Sequence, residues 1–264
     1  MSRRHLCWAC IVTALLALTL AAVPAHADRL QEILDEGVVR IGVPIDVPPF
    51  GFIDENQEPV GLDVDLAGMV AKELGVELEL QQITGINRIP FLMTDKVDIV
   101  IAIMGATPER AKQIMFSSPY ASLYIGVFGP KDLPVTSADT IGDYSVGVPR
   151  GTTQDISVTE MAPNANIVRF EDDATTVAAF LSGQVDMFGT ANILVQDMVN
   201  KDPSLDLANK FVIRTSPAHM GVRHGEFNLL RWLDTFIFYS KMNGSLEALH
   251  QEWIGESMKP LPSF

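Results

Sequence analysis

Arg110 is the residue whose surroundings speak most directly to chemistry. It follows Thr107-Pro108-Glu109. Threonine is a good helix N-cap and proline suits the first helical position, so this spacing predicts a helix with Arg110 in its first turn. Backbone N–H groups are free there and the helix dipole is positive. A guanidinium so placed can hold a carboxylate by two parallel hydrogen bonds; the alternative is a surface arginine paired with Glu109. Gly151-Thr152-Thr153 offers a second cradle of the same kind. Its glycine permits close approach, and hydroxyls and N–H groups gather at a helix start. A plain helix cap is the other reading. Gly105 follows the apolar run Asp98–Ile103, where α/β sheets place ligands beyond the carboxyl end of a strand. Hydroxyls are sparse in that stretch, which carries Ala102, Ile103 and Gly105. Phe50 and Phe52 are candidate pocket walls or ordinary core residues. Asp46 is placed either to receive an ammonium group or to cap a strand end.

Catalytic signatures are missing from the chain. There is no His-Glu-x-x-His, no Gly-x-Ser-x-Gly, and no pair of carboxylates with an evident role. Glu171-Asp172-Asp173 reads as a solvated charged turn. Both cysteines, Cys7 and Cys10, fall within the first 27 residues, so no disulfide or cysteine metal site is expected beyond them. Neither metal nor cofactor is expected, and no enzyme activity.

The elements that must position these groups alternate between strand and helix, which predicts an α/β fold with largely parallel sheets. Val38–Val43 and Asp98–Ile103 read as buried strands, and Val76–Leu80 alternates as a strand does. Leu62–Leu74 is amphipathic and Gly75 stands just past its end. The middle of the chain repeats the grammar, with strands at Ser145–Val148, Ile167–Phe170 and Val185–Phe188 and helices at Asp173–Leu181 and Ile193–Val199. Phe91–Asp98 and Phe180–Asp186 echo one another, each closing a helix, turning, and opening a strand on Val-Asp. Two lobes on one plan would produce such an echo. Phe128–Pro134 is rich in turn formers and is a candidate crossing between lobes, with Ser216-Pro217-Ala218 as the return. Two helices, Glu226–Met242 and Ser245–Trp253, are expected to split at Asn243-Gly244.

The N-terminus carries Arg3-Arg4, about 13 apolar residues from Ile11 to Val23, and Ala25-His26-Ala27. That is the pattern of a secretory signal peptide spanning residues 1–27, and the apolar stretch is shorter than the roughly 20 residues a membrane span needs. The cysteines precede the apolar core, so lipidation is not expected. The net charge is −14, and removal of the leader takes away Arg3 and Arg4 and no acid, leaving −16. A chain this acidic repels nucleic acid and anionic lipid. A site for an anion must supply its own basic groups.

Eight segments in order resemble one family: Ile41–Val43 leading to Pro48–Phe52; Val60–Ala67; Asn87–Pro90; Val97-Asp98; Thr107–Arg110; Phe116–Tyr120; Gly147 to Thr153; and Asn243 to Gly255. The chain is similar to the polar-amino-acid-binding proteins of bacterial ABC importers, the extracellular solute-binding proteins of family 3. The resemblance covers nearly all of the chain after the leader. It implies the two-lobed periplasmic-binding-protein fold of type II, with lobes joined by two hinge strands and the ligand in the cleft. Residues 28–128 and 219–264 would form lobe 1 and residues 129–218 lobe 2. It implies an amino acid or related small carboxylate as ligand, a permease and ATPase complex as partner, a periplasmic location, and a monomer that is not membrane-embedded. Arg110 would clamp the ligand's α-carboxylate, with Thr152 and Thr153 closing on it. Arg88 matches an arginine that reaches a side-chain carboxylate in glutamate and aspartate binders, which leans the ligand toward an acidic or amide amino acid. A further arginine of those binders falls at Pro44 here. The aspartate that commonly accepts the α-ammonium falls at Ala191, and only the neighbouring Asn192 is polar enough to assist. The alternative on this scaffold is an enzyme resembling cyclohexadienyl dehydratase.

Overall fold

The computed structural model describes residues 28–258 and residue 260; the expected leader, residues 1–27, lies outside the described residues. The chain begins with α1 (Arg29–Glu36), which Gly37 ends in the left-handed conformation at φ 71°. It continues through β1 (Val38–Val43), a small three-stranded sheet of β2 (Asp46–Val47), β3 (Gly51–Ile53) and β4 (Pro59–Val60), then α2 (Leu62–Leu74), closed by Gly75. Next come β5 (Glu77–Gln82), α3 (Arg88–Met93), β6 (Ile99–Gly105), a 3-10 turn at Arg110–Lys112 and β7 (Ile114–Ala121). The second half runs β8 (Tyr124–Pro130), a 3-10 turn at Ala138–Thr140, β9 (Ser145–Pro149), α4 (Thr153–Met161), β10 (Asn166–Phe170), α5 (Asp173–Leu181), β11 (Met187–Ala191), α6 (Asn192–Lys201) and β12 (Leu207–Thr215). It ends with β13 (Ala218–Arg223), α7 (Phe227–Met242) and α8 (Ser245–Ile254), divided at Asn243-Gly244.

Two five-stranded sheets share one plan. The first has the order β5-β1-β6-β13-β7 and the second β10-β9-β11-β8-β12. In each, three strands are parallel and the remaining two join antiparallel. The sheets are therefore mixed rather than largely parallel, because one strand in each, β13 in the first and β8 in the second, runs against the other four. The internal echo has a structural counterpart. The Asp98 carboxylate accepts the Arg40 N–H of β1 at 2.8 Å, and the Asp186 carboxylate accepts the Ser145 N–H of β9 at 2.8 Å. Each aspartate thus ties the start of its own strand to the neighbouring one.

The chain leaves the first sheet after Ala121 and enters the second at Tyr124, a few residues before the turn-rich Phe128–Pro134 segment. It returns between Thr215 and Ala218. The first core gathers Val39, Ile41, Leu66, Val70, Ile101 and Met220 with Leu233 and Leu246 from the C-terminal helices. A separate core forms around Val127, Val146, Val148 and Met187. Each sheet is stabilised by its own apolar burial, which leaves the interface between them free to be polar.

Candidate functional site

Between the two sheets lies a narrow cavity of about 30 Å³. Arg88, Ile103 and Val47 face it from the first sheet's side. Thr152, Thr153, Gln154, Asp173, Thr190 and Ala191 face it from the second, and Leu123, Ile125 and Ser216 line it near the two crossings. The space is on the order of one or two waters, so a ligand enters only by parting the sheets, and every lining group is then within reach of one small molecule.

Arg110 is buried and joins the two sides. Its guanidinium donates to the Gly105 carbonyl at 2.9 Å, to Thr153 Oγ1 at 3.2 Å and, across the cleft, to the Gly151 carbonyl at 3.2 Å. The expected helix at Thr107 is a single 3-10 turn, though Thr107 Oγ1 does accept the Arg110 N–H at 3.2 Å. One turn contributes little dipole, so the arginine's own charge is what the site offers. Burial brings its pKa down to about 10, and the charges of Arg88 and Arg214 act the same way. All its partners are neutral. Among the described residues, none of Arg88, Arg110 and Arg214 forms an ion pair within 4 Å, whereas Arg29 and Arg40 both pair with Asp98, at 2.6 and 2.7 Å.

Arg88, at the start of α3, is buried with its Nε lacking any hydrogen-bond partner. Unpaired buried donors cost about 1–3 kcal/mol, more when charged, so this group is poised to be met by an acceptor. Thr152 divides its duties. Its hydroxyl accepts the Asp155 N–H at 3.3 Å as the N-cap of α4 and donates to the Pro149 carbonyl at 2.7 Å. The Gly151 N–H is already taken by Asp155 at 2.9 Å. Thr152 and Asp155 thus form the cap of α4, while Thr152 also lines the cavity and Thr153 turns its hydroxyl to Arg110.

Four expected site residues lie elsewhere. Phe50 is fully buried in the first core, not in the cavity wall; it sits in the turn before β3, where its carbonyl accepts the Asp63 N–H at the start of α2 at 2.7 Å. Phe52 packs edge-on against Trp253 at 5.9 Å, with the Lys201 ammonium 5.3 Å from its ring centre. Asn192 opens α6 and turns back, its Oδ1 accepting the Tyr124 N–H at 2.9 Å, so it lines a separate groove with Tyr124 and Trp253. Asp46 bridges the two sides by accepting the Asp173 N–H at 3.1 Å. Burial raises its pKa, and the charge of Asp172 adds to this.

Asp173 overturns the reading of Glu171-Asp172-Asp173 as a solvated turn. Asp172 is half-buried and caps α5 through the Thr175 N–H at 2.8 Å, but the next residue points inward, buried, into the cavity. Burial, reinforced by the charge of Asp46, raises its pKa to about 7, and the Arg88 charge opposes the rise. A second buried acid, Asp63, accepts the Tyr120 hydroxyl at 2.8 Å and the Ile103 N–H at 3.1 Å. Burial takes it too to about 7. It holds Ile103 at φ 47°, a strained conformation for a β-branched residue, and so sets one wall of the cavity. A signal for Asp63 was present: it precedes Leu66, Ala67 and Val70 by three, four and seven residues, which puts an acid on the apolar face of α2.

The closeness of the two sides is measurable at Gly85. A Cβ there would stand 2.7 Å from Thr152 Cγ2 and 3.3 Å from the Arg150 carbonyl, both across the cleft. Gly85→Ala should wedge the two sides apart and lower ligand affinity by about tenfold, roughly 1.4 kcal/mol, with the unliganded melting temperature unchanged. Calorimetric titration beside thermal unfolding checks this; a lowered melting temperature with intact affinity would contradict it.

A model of the bacterial extracellular solute-binding proteins, family 3, matches residues 39–256. The glutamine-binding protein GlnH of an ABC transporter from Bacillus subtilis (strain 168) is 28% identical over 241 residues, covering 89% of this chain and 88% of its own. The ABC transporter arginine-binding protein 1 of Escherichia coli (strain K12) is 30% identical, covering 81% of this chain and 90% of its own. The crystal structure of an ancestral amino-acid-binding protein, AncCDT-1, described as a precursor of cyclohexadienyl dehydratase, has a TM-score of 0.78 and 32% identity, covering 86% of this chain and 100% of its own.

Proposed function

The chain belongs to the bacterial extracellular solute-binding proteins of family 3, and from that premise we propose that it captures an amino acid with an acidic or amide side chain for an ABC importer. The observation that carries this is the pair of buried guanidiniums, Arg110 and Arg88, that meet neutral groups or none in the cleft of a chain with net charge −14. A ligand α-carboxylate replaces the Gly151 and Thr153 contacts of Arg110 with charge-assisted bonds, which are stronger than bonds to neutral acceptors. Arg88 meets the polar end of the side chain. The partner is a membrane permease with its ATPase, which accepts the loaded form. Residues 1–27 direct export to the periplasm, and the protein acts there as a monomer. No helix among the described residues is long and apolar enough to cross a membrane, which accords with a freely diffusing carrier.

A thermal-shift screen against the amino acids and small dicarboxylates tests the reading. Glutamine, glutamate, asparagine or aspartate should stabilise the protein by about 2.7 kcal/mol at a hundredfold excess over Kd, while alanine and leucine do little. No response to any amino acid would overturn it. One observation favours a second reading: Asp173, with its pKa near 7 in the cleft, has the protonation behaviour of a general acid. Incubation with prephenate separates the two, since an enzyme consumes it and a carrier leaves it unchanged.

A further inference from the structure

Three features of the cavity concern the ligand's side chain rather than its carboxylate. Asp173 is 7% exposed and lines the cavity, and among the described residues its carboxylate accepts no hydrogen bond, since only its backbone N–H is engaged, by Asp46. Arg88, also 7% exposed, lines the same cavity with its Nε unpartnered. The charge of Arg88 is felt by three acids, the buried Asp63 and Asp173 and the half-buried Asp46, so a ligand carboxylate placed there would join acidic groups that are already close by.

We propose that Arg88 and Asp173 form a donor–acceptor couple that selects a neutral primary carboxamide side chain over a carboxylate. Arg88 donates to the amide oxygen and Asp173 accepts from the amide N–H₂. A carboxylate in that place would satisfy Arg88 but would set a second anion against Asp173. An apolar side chain would leave both groups buried without partners. Sites built on buried polar groups discriminate strongly for this reason. The inference rests on the amino-acid-capture reading and narrows it to the amide.

An N–H donor for Asp173 could also come from the ligand's α-ammonium, given that Ala191 offers none. Calorimetric titration of glutamine, asparagine, glutamate and methionine into wild type, Asp173→Asn and Asp173→Ala separates the sources. Wild type should prefer an amide over its acid by tenfold or more at pH 7.5. Asp173→Asn removes the charge and adds an N–H₂ donor that a carboxylate can use, while keeping one acceptor oxygen; it should cut that ratio at least tenfold, chiefly through a rise in affinity for the acid. Asp173→Ala should lose the preference without gaining the acid. An equal loss for all four ligands would assign Asp173 to the ammonium and overturn the proposal, as would an unchanged ratio. If wild type binds no amino acid at all, the capture reading falls, and this inference with it; a selective wild type with insensitive variants sinks the inference alone. Thermal unfolding of each variant confirms that the fold is retained.

Discussion

Arg110→Ala is expected to lower ligand affinity by roughly 10²–10⁴-fold, because it removes two charge-assisted hydrogen bonds worth about 1.5–3 kcal/mol each. The fold should tolerate the change. The guanidinium touches only neutral acceptors, Gly105, Gly151 and Thr153, and it is held there at the expense of its hydration, which is why its pKa falls to about 10. Removing it relieves that cost as it removes the contacts, so the unliganded melting temperature should move by only a few degrees. Arg110→Lys is the sharper comparison. It keeps the charge but loses the planar fork, and should fall between wild type and alanine. Calorimetric affinity beside thermal unfolding decides the matter: unaltered affinity in Arg110→Ala would remove the carboxylate clamp from the mechanism, and a large loss of stability would recast Arg110 as a structural brace.

Asp173→Asn should stabilise the unliganded protein at neutral pH. Burial and the Asp46 charge raise the Asp173 pKa from an ordinary 3.8 to about 7. The folded chain therefore keeps a proton that the unfolded chain has released. Stability from this group is greatest below pH 4, falls as pH rises to 7, and levels off above that. At about 1.4 kcal/mol per pKa unit the full loss is on the order of 4 kcal/mol. Asparagine does not titrate. Urea unfolding across pH should show the variant and wild type nearly equal at pH 4, with the variant ahead by ~2–4 kcal/mol at pH 7.5. His219 and His250 are held toward their neutral forms by burial and act in the opposite sense; they are common to both proteins and cancel in the difference. A difference that stays flat with pH would show that Asp173 titrates in the fold as it does in the unfolded chain.

Hydrophobic spacing made most of the architecture legible. Leu62–Leu74, Asp173–Leu181 and Val38–Val43 have the bounds their patterns predict, since a helix or strand with one face in a core must carry the matching period. Periodicity does not report strand direction, which is why the antiparallel pairs at β13 and β8 went unread. Local turns were legible where a motif fixes the backbone: Thr152 caps α4 as expected, whereas the helix expected after Thr107 is a single 3-10 turn. The site was not legible where one residue's rotation decides burial. Asp172 and Asp173 are adjacent, alike and charged, yet one caps α5 at the surface and the other faces the cavity. Only the seat of α5 against β2 and the Asp46 carboxylate separates them. Phe50 and Phe52 were ambiguous for a related reason: Phe50 sits in the turn before β3 and Phe52 within it, and what covers each is decided by the first core and by Trp253.

The strand order of the two sheets also bears on how the chain reaches this form. Every strand of the second sheet lies in the unbroken stretch from Tyr124 to Thr215, so that half holds all its own pairing partners once residue 215 is in place. The first sheet does not. Its β13 sits between β6 and β7 yet arrives last of all the strands, and α7 and α8, which complete its core, come later still. Bringing β13 back across nearly a hundred residues is a slow, non-local closure. The inserted half is therefore the natural early folder, and the half that begins the chain has to wait for its end.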